Sequence, residues 1–342
     1  MPGSSTHLMR GSPMPELSLA NYWHPIATSE EVVEQPAKFK LLGEQLVGFR
    51  DHEGVVVFKD LCVHRGTALS GGRIKDGRLT CPYHGWAYDR SGVCVHIPSL
   101  PPGAVIPPKT RAIAYRAREA YGLIWVAIRE PVQPFPEWPE DAWGRSGYRV
   151  LMVNRYRWKT SAGRVIENAM DFSHFNFVHA GYTELADGPI IKPYEVSTNG
   201  RGLKYAYEDG RLRRDYTLEF PFILHDRKNV ISLDSGATWS ERGDAHIGDA
   251  TILTFIASPI GAVDTNIYAY VTRNHHLDAD DSEFTAGFDE IMEQDRVVVE
   301  TQRPEQIPAD IREELHLRLP DAASIAYRRL LQEVAQVESF ML

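Results

Sequence analysis

Cysteine is scarce in this chain of 342 residues: Cys62, Cys81 and Cys94 are the only three. So small and odd a number excludes a disulfide framework and suits a reducing compartment, which reads as cytoplasmic. It also falls short of the all-cysteine ligand set of a plant-type ferredoxin module. No uninterrupted apolar run reads as a membrane span. Residues 1–14 (MPGSSTHLMRGSPM) lack the apolar core of a signal peptide. Their Gly, Ser and Pro content reads as a disordered leader, bounded at 1–20, with Met9 and Met14 as alternative starts. Excess positive charge is missing too: the formal net charge of −9 argues against a protein that grips a nucleic-acid backbone. Repeats and low-complexity runs are absent. So is a Gly-x-Gly-x-x-Gly fingerprint after a strand, and the chain therefore shows no dinucleotide site of its own.

What is present divides in two. From about Tyr22 to Ile128 short β-like runs (44–50, 55–59, 93–97, 123–128) alternate with Gly-containing turns, the texture of a small all-β domain spanning 21–130. Pro131, Pro134, Pro136 and Pro139 disfavour both helix interior and sheet ladder, so 131–144 reads as a linker. In 145–342 a β-like run (Tyr148–Trp158) precedes a helical stretch over about Arg164–His179. Strand candidates follow at 203–208, 214–220, 229–234, 250–258 and 265–273. Two closing helices are expected, one from near Asp281 to about Gln302. The other starts near Asp321, with Ala323, Tyr327, Leu331, Val334 and Val337 at helical spacing. Successive antiparallel strands followed by long helices give an α+β domain with helices on one sheet.

Two constellations carry chemistry. Cys62-x-His64 and, further on, Cys81-x-x-His84 are short Cys/His hooks that can converge on one metal site. Two thiolates and two imidazoles are the ligands of a Rieske [2Fe–2S] cluster, whose neutral imidazoles raise its potential. A structural zinc takes the same four residues. Cys94 fits neither hook and reads as a small buried apolar residue.

In ENAMDFSHFNFVH (167–179), Asn168, Asp171 and His174 advance by threes, which sets them close together on a helix. His179 lies five positions past His174, so both can reach one metal only where the helix ends or carries a π-type irregularity. A facial triad of two His and one carboxylate lacks its carboxylate here. Asp295 is a candidate, because it lies in the middle of an apolar arc formed by Phe288, Ile291, Met292, Val298 and Val299. An aspartate there is costly unless paired or metal-bound. His225, His275, His276 and His316 read as surface or loop residues.

Cys-x-His-Arg-Gly, Cys-Pro-Tyr-His-Gly-Trp and Asn-x2-Asp-x2-His-x4-His together resemble the Rieske-type non-heme iron oxygenases over nearly the whole chain after residue 20. Tyr83 stands where respiratory Rieske proteins carry a disulfide cysteine, and no cysteine closely follows Arg65-Gly66. Glu-Gln-Asp (293–295) resembles the family's third-ligand helix. YGLIWV and YRRLLQE look most like the single-chain branch, which includes purine-alkaloid N-demethylases, dicamba-type O-demethylases and hydroxylases of guanidinium alkaloids.

The resemblance implies a Rieske domain followed by a helix-grip (START-like) catalytic domain. Cys62, His64, Cys81 and His84 would hold the cluster, and His174, His179 and Asp295 a mononuclear Fe(II). Asp171, with Asn168 beside it, would link His84 of one subunit to His174 of the next in a head-to-tail homotrimer. The expected activity is that of a terminal oxygenase taking O2 and electrons from NAD(P)H through a separate reductase and/or ferredoxin. Its expected reaction is N- or O-demethylation of a small aromatic or heterocyclic substrate. Hydroxylation or cis-dihydroxylation is the alternative chemistry, and a non-catalytic Rieske electron carrier the alternative of another class. The cavity lining is expected from strands between about 200 and 275 and the loop after His179.

Overall fold

The computed structural model describes residues 18–210, 212–232, 246–308 and 310–335. Most of the expected leader, and Val337 of the last helix, lie outside them. Ser18–Ala20 do not belong to a leader. Leu19 is buried, and the Ser18 hydroxyl accepts from the Ala20 amide to cap a 3-10 turn over Leu19–Asn21.

Ten strands build the first half: β1 (His24–Thr28), β2 (Ala37–Leu41), β3 (Glu44–Asp51), β4 (Gly54–Lys59), β5 (Arg73–Lys75), β6 (Arg78–Thr80), β7 (Ala87–Tyr88), β8 (Cys94–His96), β9 (Arg116–Ala120) and β10 (Leu123–Ala127). They form three small antiparallel sheets ordered β1-β10-β9, β2-β3-β4 and β5-β6-β7-β8. Leu123–Ala127 are all buried, so β10 is a central strand, sealed on both faces.

The second half has one seven-stranded antiparallel sheet. Its strands are β11 (Arg149–Trp158), β12 (Val196–Thr198), β13 (Gly202–Asp209), β14 (Leu212–Glu219), β15 (Ile223–Val230), β16 (Ala250–Gly261) and β17 (Asp264–Arg273), in the order β11-β17-β16-β15-β14-β13-β12. β15 begins six residues before the expected 229–234 run. Helices α1 (Ala162–Met170), α2 (Phe175–Val178), α3 (Ser282–Thr285), α4 (Phe288–Val299) and α5 (Ala322–Ala335) complete the described elements. This is the expected antiparallel α+β layout, but with few helices among the described residues, and those expected over 164–179 and 281–302 are shorter than the sequence suggested.

The helix expected over 164–179 is broken. α1 ends at Asp171, whose backbone is extended (φ −83°, ψ 128°) and whose Oδ1 accepts from the Ser173 amide at 2.7 Å. Such a carboxylate-to-backbone bond competes with helix continuation. Likewise the 281–302 helix is interrupted at Gly287, which takes φ 77°, a left-handed value that glycine adopts without steric cost.

The 131–144 segment is no loose linker. Trp138 and Ala142 are buried in a core shared with Leu123 and Trp125 of the first half and Ile223, Ile256, Tyr268 and Tyr270 of the second. Trp138 Nε1 donates to Thr272 Oγ1 at 3.3 Å. The amides of Leu42 and Gly43 donate to Pro259 and Ile260 carbonyls, and Arg155 pairs with Glu31. The two halves therefore meet through apolar burial, backbone hydrogen bonds and charge.

Helix α5 is locked to α1 by buried charge. Arg328 donates to both Glu167 oxygens (2.6 and 2.8 Å) and to Glu314, which also accepts from Arg164. Burial alone would raise the Glu314 carboxyl, but Arg164 and Arg328 outweigh it and hold it at about 2. Removing one member of such a cluster leaves uncompensated buried charge, so Arg328→Met is expected to cost about 3–5 kcal/mol in chemical denaturation. Because the folded carboxyl titrates below its unfolded value, its share of stability is present at neutral pH. That share is lost as pH falls from about 4.5 toward 2. A denaturation midpoint unchanged by the substitution would contradict this.

Candidate functional site

Both Cys/His hooks are built the same way. The Cys62 amide donates to the Thr67 carbonyl and the Cys81 amide to Trp86, five residues on in each case. Gly66 and Gly85, each four residues past its cysteine, donate back to the cysteine carbonyl with φ 71° and 70°. A side chain at Gly85 would also crowd Pro98, at 3.0 Å. The equal Cys-to-Gly spacing was legible in the sequence but carried no weight there.

Cys62 and Cys81 are buried in the core of the first half. Tyr88, which the sequence reading missed, brings its hydroxyl 3.1 Å from Cys62 Sγ. Burial, and then the neighbouring Cys62, pushes the Cys81 thiol up. The imidazoles of His64 and His84 stand at the exposed end with ring centroids 4.6 Å apart, and Trp86 stacks on His64 at 4.2 Å. Burial, His84 and Arg65 all lower the His64 pKa. Among the described residues, no three of these four ligand atoms lie within 4.8 Å of one another. A single tetrahedral zinc would draw all four to about 2.0–2.3 Å from one point. Thiols at the buried end and imidazoles at the exposed end instead suit the two irons of a [2Fe–2S] cluster. Cys94 is buried in the same core as Cys62 and Cys81, among apolar neighbours.

In the second half one group of three donors converges: His174, His179 and Asp295. The break after α1 lets residues 171–174 turn, and α2 then carries the chain to His179 at its C-terminal end. Helix α4 presents Asp295 on its buried arc with Phe288, Met292 and Val299, while Val298, expected in that arc, is 45% exposed. His174 Nε2 and His179 Nε2 lie 3.2 Å apart and 3.4 and 3.2 Å from Asp295 Oδ1. Ligands at right angles on an ion about 2.1 Å away would be separated by about 3.0 Å, so this triangle fits one metal ion.

The protons are placed to suit it. His174 Nδ1 donates to Asp171 Oδ2 at 3.2 Å, and His179 Nδ1 to Gln294 Oε1 at 2.9 Å. With Nδ1 occupied, each ring turns its Nε2 toward the third ligand. Asp295 Oδ1 is buried and makes no hydrogen bond. Burial would lower the His174 pKa, but Asp171 and Asp295 outweigh it and raise it to about 9. Burial would raise the Asp295 carboxyl, and the two imidazoles hold it below its usual range instead. Gln294 was not singled out from sequence, though it precedes Asp295 directly.

The three donors open onto a cavity of about 1020 Å³. Its apolar lining includes Val165, Phe175, Phe255, Phe288 and Met292, and Asn168 also faces it. Arg214, Asp226, Lys228 and Thr251 line it from the strands, and Tyr182 and Thr183 from the loop after His179, as expected; the contribution of α1 and α4 was not foreseen. Burial and the nearby Arg214 lower Lys228 to about 8. His275 and His276 also line the cavity rather than the outer surface, and His225 is buried on β15 against Thr254. None of the described helices is long and apolar enough to cross a membrane.

Comparison with known proteins agrees with this layout. The Rieske [2Fe-2S] domain family matches residues 22–114, and the vanillate O-demethylase oxygenase C-terminal domain family matches 158–336. Methylxanthine N1-demethylase NdmA of Pseudomonas putida is 29% identical over 93% of this chain and 90% of its own length. The 3-chlorobenzoate-3,4-dioxygenase oxygenase subunit of Comamonas testosteroni is 35% identical over 69% of this chain and 59% of its own length. The structure of NdmA with caffeine superposes with a TM-score of 0.78 at 28% identity, covering 94% of this chain and 92% of that one. Dicamba monooxygenase bound to dicamba, at 21% identity and a TM-score of 0.76, shares the fold. With one family model over its first part, another over its second and a relative matched along nearly its whole length, the chain belongs to the Rieske-type non-heme iron oxygenases, O2-using oxidoreductases with a [2Fe–2S] cluster and a mononuclear iron.

Proposed function

We propose that this chain is the terminal oxygenase of a demethylating system, removing an N- or O-methyl group from a small aromatic or heterocyclic substrate. The observation that carries this reading is the His174/His179/Asp295 triangle opening onto a cavity large enough for a one- or two-ring molecule. In this reading those three residues hold the iron, and Cys62, His64, Cys81 and His84 hold the cluster. Residues 21–130 serve electron entry, 131–144 connect, and 145–342 serve catalysis.

Bound by these three residues, an iron would supply O2 activation. Asp171 and Gln294 keep the Nδ1 protons of the two imidazoles engaged, which fixes ring orientation. The apolar wall at Val165, Phe255, Phe288 and Met292 excludes water and holds the substrate methyl toward the triangle. Oxygenation of an N- or O-methyl carbon gives a hemiaminal or hemiacetal, which collapses to formaldehyde and the demethylated product. Asp171 keeps a third of its side chain exposed while bound to His174, which suits a link to His84 of a neighbouring subunit in a cytoplasmic homotrimer. Electrons then come from NAD(P)H through a separate reductase and/or ferredoxin.

Protein purified without oxygen is expected to carry about three irons and about two acid-labile sulfides per chain, with a Rieske-type EPR signal on reduction. With a borrowed reductase, methylated substrates should release one formaldehyde per turnover. Stoichiometric zinc without sulfide would overturn the oxygenase reading. Oxygenated product without formaldehyde would replace demethylation by hydroxylation.

A further inference from the structure

The segment that carries the two histidines has little regular structure of its own. Between Asp171 and Thr183 it offers four helical residues and a few turns, so contacts from outside must hold His174 and His179 in place. One comes from an interior strand of the sheet. Arg214 on β14 is 2% exposed, and its Cζ lies 4.9 Å from the centroid of Phe175, the residue following His174. The Phe175 ring is in turn 5.0 Å from the His174 ring and 5.9 Å from His179. Arg214 Nη2 also donates to Thr183 Oγ1 at 3.4 Å, and the Thr183 amide donates to the His179 carbonyl at 3.1 Å.

We propose that Arg214 is a positioning residue for the metal site, a buried cation that clamps the ligand segment at Phe175 and Thr183 and so sets the approach of His174 and His179. The inference rests on the assignment of those histidines as ligands.

Two features separate this role from plain fold stability. A buried ion pair is a weak source of stability, since apolar residues of similar volume often serve as well or better. The Arg214–Asp226 pair is also incomplete. Nη1 donates to Asp226 Oδ2 at 3.0 Å, while Asp226 Oδ1 is buried and makes no hydrogen bond. Elsewhere in the chain Arg149–Asp281, Arg157–Asp264 and Arg328–Glu167 engage both carboxylate oxygens. The Arg214 guanidinium instead divides its contacts between its carboxylate, an aromatic face and a hydroxyl, an arrangement suited to its flat fork and not to a lysine.

The test is Co(II) binding to protein stripped of mononuclear iron, read by the EPR of high-spin cobalt while the cluster is oxidised and silent. Wild type, R214M/D226L, F175L and a H179A control are compared. R214M/D226L removes both charges together, and F175L leaves the ion pair intact, so the fold is spared by two independent routes. Both are expected to bind Co(II) about 10–100-fold more weakly, with an altered line shape, the range found when support behind a metal ligand is lost. The reduced-cluster signal should be unchanged. Wild-type affinity and line shape in both variants would overturn the proposal and leave Arg214 a structural residue. Full Co(II) binding by H179A would instead overturn the ligand assignment, a separate failure.

Discussion

Asp171→Asn is expected to leave about three irons and about two labile sulfides per chain and yet slow turnover by about 100-fold or more. The carboxylate does two things at once. Oδ1 accepts from the Ser173 amide and Oδ2 from His174 Nδ1, so it both turns the chain after α1 and orients a ligand. Asparagine keeps an acceptor for the Ser173 amide, and the turn should survive. What it removes is the negative charge between His174 and whatever meets the exposed edge of the carboxylate. If that partner is His84 of a neighbouring subunit, reoxidation of the reduced cluster by O2 and substrate should slow in parallel with turnover. Stopped-flow absorbance of the cluster measures this directly. Turnover at the wild-type rate would remove the relay assignment, while loss of iron would make Asp171 chiefly a support for His174.

Asp295→Ala should lower iron from about three to about two per chain, with sulfide and the Rieske EPR signal unchanged and turnover at background. Its Oδ1 is the only carboxylate oxygen in the donor triangle, and two imidazoles alone leave the ion one anionic ligand short. Folding should survive. The buried carboxyl is held below its usual range only by the two histidines, so the exchange removes a buried charge together with its cost. Three irons retained with normal turnover would place the carboxylate ligand elsewhere.

The metal chemistry was legible in the sequence because few residue types can do it. Thiols and imidazoles at hook spacing, and an aspartate amid apolar neighbours, stand out against any background. Position in space was harder to read. The apolar spacing of 164–179 looks helical throughout, and only the Asp171 bond to the Ser173 amide, a local polar competition, stops the helix. That break is what brings His174 and His179 together, so the feature that spoiled the helix is the one the site needs. His275 and His276 follow the end of β17 and line the cavity because the neighbouring strands and α3 surround it, a relation no local pattern records. The Arg214–Asp226 pair was invisible for the same reason. Its members sit on adjacent strands, twelve residues apart, and alternation alone does not say which face of a sheet is covered.

The shared aromatic core between the halves bears on how such enzymes can be recombined. Strand β1 pairs with β10, which lies beyond the span that matches the Rieske domain family, and β10 in turn carries Trp125 into the Trp138 cluster. A hybrid that exchanged residues 22–114 alone would set a foreign β1 against a resident β10 and mismatch the packing under both. The natural cassette is Ser18 through Gly144, strap included, which meets the second half along Ile223, Ile256, Tyr268 and Tyr270, through the Leu42 and Gly43 hydrogen bonds to Pro259 and Ile260, and through the Arg155–Glu31 pair. Matching these contacts to the donor is then the condition for an electron-transfer domain to be transplanted intact.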